Sequence, residues 1–182
     1  MDQKIAAIMI GIPCSGKTSF CQERLGEYAR IAPEEAQTAY QIQTLMKSCL
    51  RGDTPFVVDG MNITKEERQR YIALAKAMGF RIVGYYMLAD PEECIMRNNE
   101  RNADRGWFKN TVGKIAYRME RKDRGKEAAK RKSMTIVTDE MIEDIYGMME
   151  TPSKEEGFDE LYMVITEKGQ FVVEPCQSGI GN

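Results

Sequence analysis

The sequence predicts an α/β domain built on a mostly parallel sheet with helices on both faces. Two observations predict it. Short apolar runs, each long enough for one buried strand, alternate with longer stretches of helical spacing, the pattern of successive βαβ units. The first apolar run is also followed at once by a glycine-bounded loop, Gly11 to Thr18, that opens a helix. In such sheets ligands lie beyond the carboxyl ends of the strands, so the strand ends are where function is sought.

Lys4 to Ile10 (KIAAIMI) reads as a buried strand with a glycine directly after it. Lys17 to Ala29 has helical spacing at Phe20, Cys21, Leu25 and Tyr28, and Gln37 to Leu50 at Ile42, Leu45, Met46 and Cys49. Gly52-Asp53-Thr54-Pro55 is a turn signal, after which Phe56 to Val58 is a buried strand ending at Asp59. Thr64 with Glu67 three residues on makes a capping box, opening a helix that runs to Met78 with Gly79 as its stop. Arg81 to Leu88 is another strand, and Asp90-Pro91 starts the helix after it. Asp139 to Met149 is helical, Thr151-Pro152-Ser153 breaks it, and Leu161 to Thr166 is a late strand. Phe171 to Val173 hairpins back onto that strand through Lys168-Gly169.

The 182 residues, 42% hydrophobic and 30% charged, suit one folded domain spanning 1–182, with an insert at about 97–133, and exclude a disordered chain. No apolar run approaches the ~18 residues of a membrane span. The first ten residues run straight into the glycine loop and do not read as a signal peptide. Cysteines at 14, 21, 49, 94 and 176 form no CxxC pair, and there is no histidine. That excludes a Cys/His zinc site and every Ser-His or Cys-His nucleophile pair, and an odd number of thiols without a signal peptide suits the cytoplasm. Chemistry is left to carboxylates, lysine, arginine, backbone dipoles or a metal. Charge is polarised: residues 101–132 hold twelve Lys/Arg against four acids, a local +8 in a chain of net −2. Such a segment is either a local anion site or a solvated helix.

Gly11-Ile12-Pro13-Cys14-Ser15-Gly16-Lys17-Thr18 matches GxxxxGK[ST] in full, with a strand before it and a helix, starting through Ser19, after it. The spacing has a physical reason. Glycines let the backbone curl so that successive N–H groups point at one phosphate, and the helix N-terminus adds partial positive charge. Lys17 is then placed for the outer phosphates of ATP and the Thr18 hydroxyl for Mg²⁺. Asp59, at the end of an apolar strand, suits the metal or its water, or else forms a turn with Gly60. No guanine-reading NKxD string is present, which favours ATP over GTP. Arg97 and Arg101 lie i, i+4 on one helix face, where two guanidinium groups can serve one anion, or else form surface pairs with Glu93 and Glu100.

With these pieces in order, together with Arg97-Asn98-Asn99-Glu100-Arg101 and Pro152 followed by Glu156-Gly157-Phe158, the chain resembles the polynucleotide 5′-kinase-like, AAA-type ATP-binding branch of the P-loop kinases over residues 4–166. Asp59-Gly60-Met61-Asn62 is similar to that family's strand-end element, Arg68 and Tyr71 stand in a helix like its arginine-rich one, Arg97-Asn98 and Arg101 match an RNxxR lid signature, and Glu156-Gly157-Phe158 matches its EGF element. The resemblance implies ATP with Mg²⁺, transfer of the γ-phosphoryl group to a hydroxyl, and a basic helical lid beginning at Arg97 that acts through Arg101. It also implies an acidic residue after the second strand that deprotonates the acceptor, with an arginine three residues later on the acceptor phosphate. Glu34 stands nearest the first position, and Gln37 stands at the second, where it cannot pair by charge.

The expectation is therefore an ATP-dependent kinase whose acceptor is a nucleic-acid 5′-hydroxyl end, with Lys17, Glu34, Asp59, Arg97 and Arg101 as catalytic candidates. Glu35 and Asp59 stand beside Glu34 as alternative bases. Single-stranded nucleic acid is the expected partner of the basic segment 101–132, where Trp107 and Phe108 either stack on bases or anchor the lid. A small-metabolite or nucleoside kinase, and an ATP-driven regulatory module acting with RNA or a protein, are the rival readings.

Overall fold

The computed structural model describes residues 4–36, 38–103 and 137–176. Gln37, Trp107, Phe108 and most of the basic segment lie outside the described residues.

Six strands form one sheet: β1 (Ile5–Ile10), β2 (Ala29–Ile31), β3 (Phe56–Val58), β4 (Arg81–Met87), β5 (Glu160–Glu167) and β6 (Gln170–Pro175). Their order is β2-β3-β1-β4-β5-β6, parallel except for β6, which pairs antiparallel with β5. The helices are α1 (Lys17–Arg24), α2 (Ala39–Arg51), α3 (Lys65–Ala77), α4 (Pro91–Ala103) and α5 (Asp139–Gly147). The chain leaves β1 toward one edge and leaves β3 toward the other, so the crevice at their carboxyl ends is the switch point of the sheet.

β1 is apolar throughout because both its faces are covered. Ala6, Ile8 and Ile10 pack with Met46, Cys49 and Leu50 of α2 and Ile72 and Ala75 of α3. Ala7 and Met9 pack with Phe20 and Cys21 of α1. A third cluster joins Ile12 of the glycine loop to Cys94 of α4 and Ile142 of α5, so those helices sit against the loop itself.

The capping box at Thr64 and Glu67 forms as expected, and Gly79 follows α3 with φ +74°. The hairpin between β5 and β6 also forms, turning at Lys168 and Gly169. Two elements differ from the sequence reading. α1 stops at Arg24 instead of Ala29: Leu25 leaves helical geometry and its N–H bonds back to Cys21. The chain then turns into β2, where Ala29, Arg30 and Ile31 pair with Phe56, Val57 and Val58. The helical spacing at Tyr28 belonged to a residue that packs on the sheet from a turn. The second helix begins at Ala39, because Thr38 caps it in a box with Gln41.

Candidate phosphate-binding site

The site begins in the loop between β1 and α1. Gly11, Cys14 and Gly16 have φ of +155°, +62° and +97°, the left-handed turns that curl a backbone around an anion. The Lys17 ammonium lies on this loop, donating to the carbonyls of Gly11 (3.0 Å) and Ile12 (2.7 Å). Burial holds its pKa below the ordinary lysine value, against the pull of the Glu34 and Asp59 carboxylates.

β3 brings Asp59 beside the start of α1. The Thr18 hydroxyl donates to Asp59 Oδ2 at 3.0 Å, and the same oxygen accepts from Arg30 Nε at 2.6 Å. Arg30, from the edge strand, also forks Glu35 at 2.6 and 3.0 Å. Its guanidinium thus runs from a carboxylate only 2% exposed to one that is 64% exposed. Asp59 needs such a counter-ion, because Lys17 is spent on the loop carbonyls. Glu34 accepts from the Met61 N–H at 3.1 Å. The carboxyl is raised above the ordinary glutamate value by desolvation, while the nearby Lys17 pulls it down. Glu34 is an exposed residue, so solvent screening tempers the net push.

The turn after β3 ties these parts together. The Gly11 N–H donates to the Met61 carbonyl (2.9 Å), and Asn62, held at φ +46°, donates its side-chain amide to the Met9 carbonyl (2.7 Å). On the opposite side, Cys14 meets Asn98 of α4, whose amide donates to the Val137 carbonyl (2.9 Å) and accepts from Asn102 (3.1 Å).

The structure therefore brings Lys17, Thr18, Glu34 and Asp59 to one crevice together with Gly11, Pro13, Cys14, Ser15, Gly16 and Ser19. Arg97 and Arg101 are placed differently. Arg97 pairs with Glu93 at 3.0 Å and Arg101 is exposed, while the residues of α4 that face inward are Asn98 and Asn102, both buried. Sequence reasoning missed Arg30, for which no motif gave a signal, and it did not pair Arg68 with Glu156. Burial pushes the Cys21 and Cys94 thiols up to about 12 and about 11, so both are packed groups and not nucleophiles.

The donor set fits a nucleotide phosphate. Ser15 Oγ is buried in the loop with no hydrogen-bond partner, the one such side-chain atom among the described residues. A Thr hydroxyl beside an Asp carboxylate offers hard oxygen ligands of the kind Mg²⁺ takes alongside phosphate and water. Among the described residues no group of three or more Cys, Asp or Glu could hold a metal by itself.

A family model described as an AAA domain matches residues 7–122. The chain belongs to this family. The AAA-domain match implies nucleotide binding. No curated protein matches the sequence. Among solved structures, Kti12 of Chaetomium thermophilum in complex with ADP-AlF3 is 14% identical with a TM-score of 0.52, covering 88% of each chain. A structure from the PezAT chromosomal toxin–antitoxin system of Streptococcus pneumoniae is 13% identical with a TM-score of 0.52, covering 94% of this chain and 72% of that one. A gluconokinase from Sinorhizobium meliloti is 12% identical with a TM-score of 0.48, covering 88% and 81%. At these identities the likeness to the first two is one of fold alone, the P-loop NTPase fold. No helix among the described residues is long and apolar enough to cross a membrane.

Proposed function

We propose that this AAA-domain chain is an ATP-dependent kinase that transfers a phosphoryl group to a hydroxyl, with Glu34 as the proton acceptor. The observation that carries this reading is the placement of Glu34: a carboxylate with a raised pKa, anchored by the Met61 N–H, in the electrostatic reach of the phosphate-loop lysine.

The roles follow from the contacts. The loop amides and the Ser15 hydroxyl bind terminal phosphate oxygens. Lys17 exchanges its two carbonyl partners for phosphate and carries the compensating charge. Thr18 and Asp59 hold Mg²⁺, which when bound neutralises charge on the phosphate oxygens. Glu35 is paired with Arg30 and Asp59 is assigned to the metal, which leaves Glu34 as the carboxylate to take the acceptor proton. Arg97 and Arg101 stabilise the charge of the transferring group, Arg97 after release from Glu93.

The first acceptor to test is a nucleic-acid 5′-hydroxyl end, on the strength of the RNxxR and EGF elements. Incubation of γ-labelled ATP with 5′-hydroxyl RNA, 5′-hydroxyl DNA and pooled metabolites separates the readings. Label on an oligonucleotide supports polynucleotide kinase activity, and label on a metabolite supports a small-molecule kinase. Free phosphate alone, released faster in the presence of RNA or a protein, refutes the kinase and leaves an ATP-driven regulator.

A further inference from the structure

Arg68 is the largest fully buried side chain among the described residues, at 0% exposure. Its Nε and Nη2 fork the Glu156 carboxylate at 2.6 and 2.8 Å, joining residues 88 positions apart in the chain. Its Nη1 donates to the backbone carbonyls of Asn62 (3.1 Å) and Ile63 (2.9 Å). The Ile63 carbonyl has a second donor, the Glu150 N–H, whereas among the described residues the Asn62 carbonyl is met by Arg68 alone. Glu156 is itself fixed, because it accepts the Ser153 N–H at 3.1 Å.

The clamped turn is the one that carries the site. Asn62 is in left-handed geometry, which asparagine takes more readily than most residues, and its side-chain amide already holds the Met9 carbonyl. One residue earlier, Met61 gives its N–H to Glu34 and its carbonyl to the Gly11 N–H at the mouth of the phosphate loop. Three residues earlier stands Asp59. Stability alone does not call for an ion pair here, since apolar residues of the same volume stabilise such sites as well or better. An apolar pair cannot donate to the Asn62 carbonyl.

We infer that Arg68, locked by Glu156, is a positioning residue for phosphoryl transfer: by holding the Asn62 carbonyl it fixes the turn whose Met61 N–H anchors Glu34 and whose Met61 carbonyl meets the phosphate loop. Neither residue touches the nucleotide or acceptor in this scheme. The inference rests on the proposed kinase reading for its effect on rate, but not for its effect on the turn.

The test uses the full chain in a double variant, Arg68→Met with Glu156→Leu, which removes the clamp while keeping the interior filled and uncharged. Arg68→Lys is the second variant, which keeps the buried charge paired but loses the forked donors. Melting temperature, amide hydrogen exchange at Gly11 and Met61, ADP affinity and steady-state kinetics are measured on each. The expected result is a folded protein in which both amides exchange faster. In that protein kcat falls by about 100-fold, the cost of misplacing reacting groups by an ångström, while KM for ATP changes far less. A folded variant with unchanged exchange at Gly11 and Met61 overturns the inference, as does unchanged kcat in a protein with proven kinase activity. If the double variant does not fold, Arg68→Lys decides by the same readouts. If the wild-type chain phosphorylates no acceptor, the kinase reading fails, and amide exchange with ADP affinity still decides the clamp.

Discussion

Replacing Ser15 with alanine should push the free protein and the nucleotide complex in opposite directions. Ser15 is 1% exposed and its hydroxyl has no partner among the described residues. Burying a polar group without its hydrogen bond costs about 1–3 kcal/mol, and the Ala variant no longer bears that cost. Because the deleted oxygen leaves a small void, the low end applies: a gain of about 1 kcal/mol, or a melting temperature higher by about 2–4 °C in a domain of this size. The complex loses a bond to a charged phosphate, about 1.5–3 kcal/mol, which weakens ADP binding by about 10- to 150-fold. Thermal melts with and without ADP and Mg²⁺, with titration calorimetry alongside, read both numbers. A variant that melts lower when free and binds ADP as tightly as wild type would mean that Ser15 serves the loop and not the ligand.

Glu34→Gln keeps the Oε1 acceptor for the Met61 N–H, so only the proton acceptor and one negative charge beside Lys17 are lost, and kcat should fall by about 10²–10⁴ with melting held or slightly raised. In the wild type the raised Glu34 pKa places the acid limb of kcat/KM above the ordinary value of 4.5, and activity is lost as pH falls through it. The same shift means that folding favours the protonated form, so Glu34's contribution to stability is greatest below that ordinary value and declines as pH rises through the raised one. A Gln variant with the wild-type rate and the same acid limb would remove Glu34 from the chemistry. Lys17→Met should lower kcat/KM by about 10²–10³ with the domain still folded, and calorimetry showing undiminished ATP binding would count against the phosphate loop as the site. Gly84→Ala places a Cβ 2.6 Å from Leu161 Cδ1 and 2.8 and 2.9 Å from the Phe158 ring, an overpacking that should cost about 1–3 kcal/mol. An unchanged denaturation midpoint would show that β5 shifts to make room.

What was legible in the sequence was local. The Thr64–Glu67 cap, the Asp90-Pro91 start of α4 and the glycine loop each announce themselves within two to eight residues, because their physics is short-range. Asp59 was found because a buried strand ends beside it. β2 was hidden, since three residues of Ala-Arg-Ile carry no alternation and follow a helix whose spacing carries on past its true end. Arg30 was invisible for a related reason: an edge-strand arginine acquires meaning only when parallel pairing sets it beside Asp59. The Arg68–Glu156 lock depends on contact across 88 positions, which no spacing rule reaches. In α4 the i, i+4 rule placed Arg97 and Arg101 on one face, but it could not tell that Asn98 and Asn102 would be the pair turned inward.

Those two asparagines tie neighbouring helices to the site. Asn98 and Asn102, on successive turns of α4, both donate to the Val137 carbonyl, at 2.9 and 3.5 Å, which fastens the residue leading into α5 to α4. Because Cys94 of α4 and Ile142 of α5 both pack on Ile12, that fastening also braces the phosphate-gripping turn, so its firmness depends on two side-chain amides that never meet the ligand.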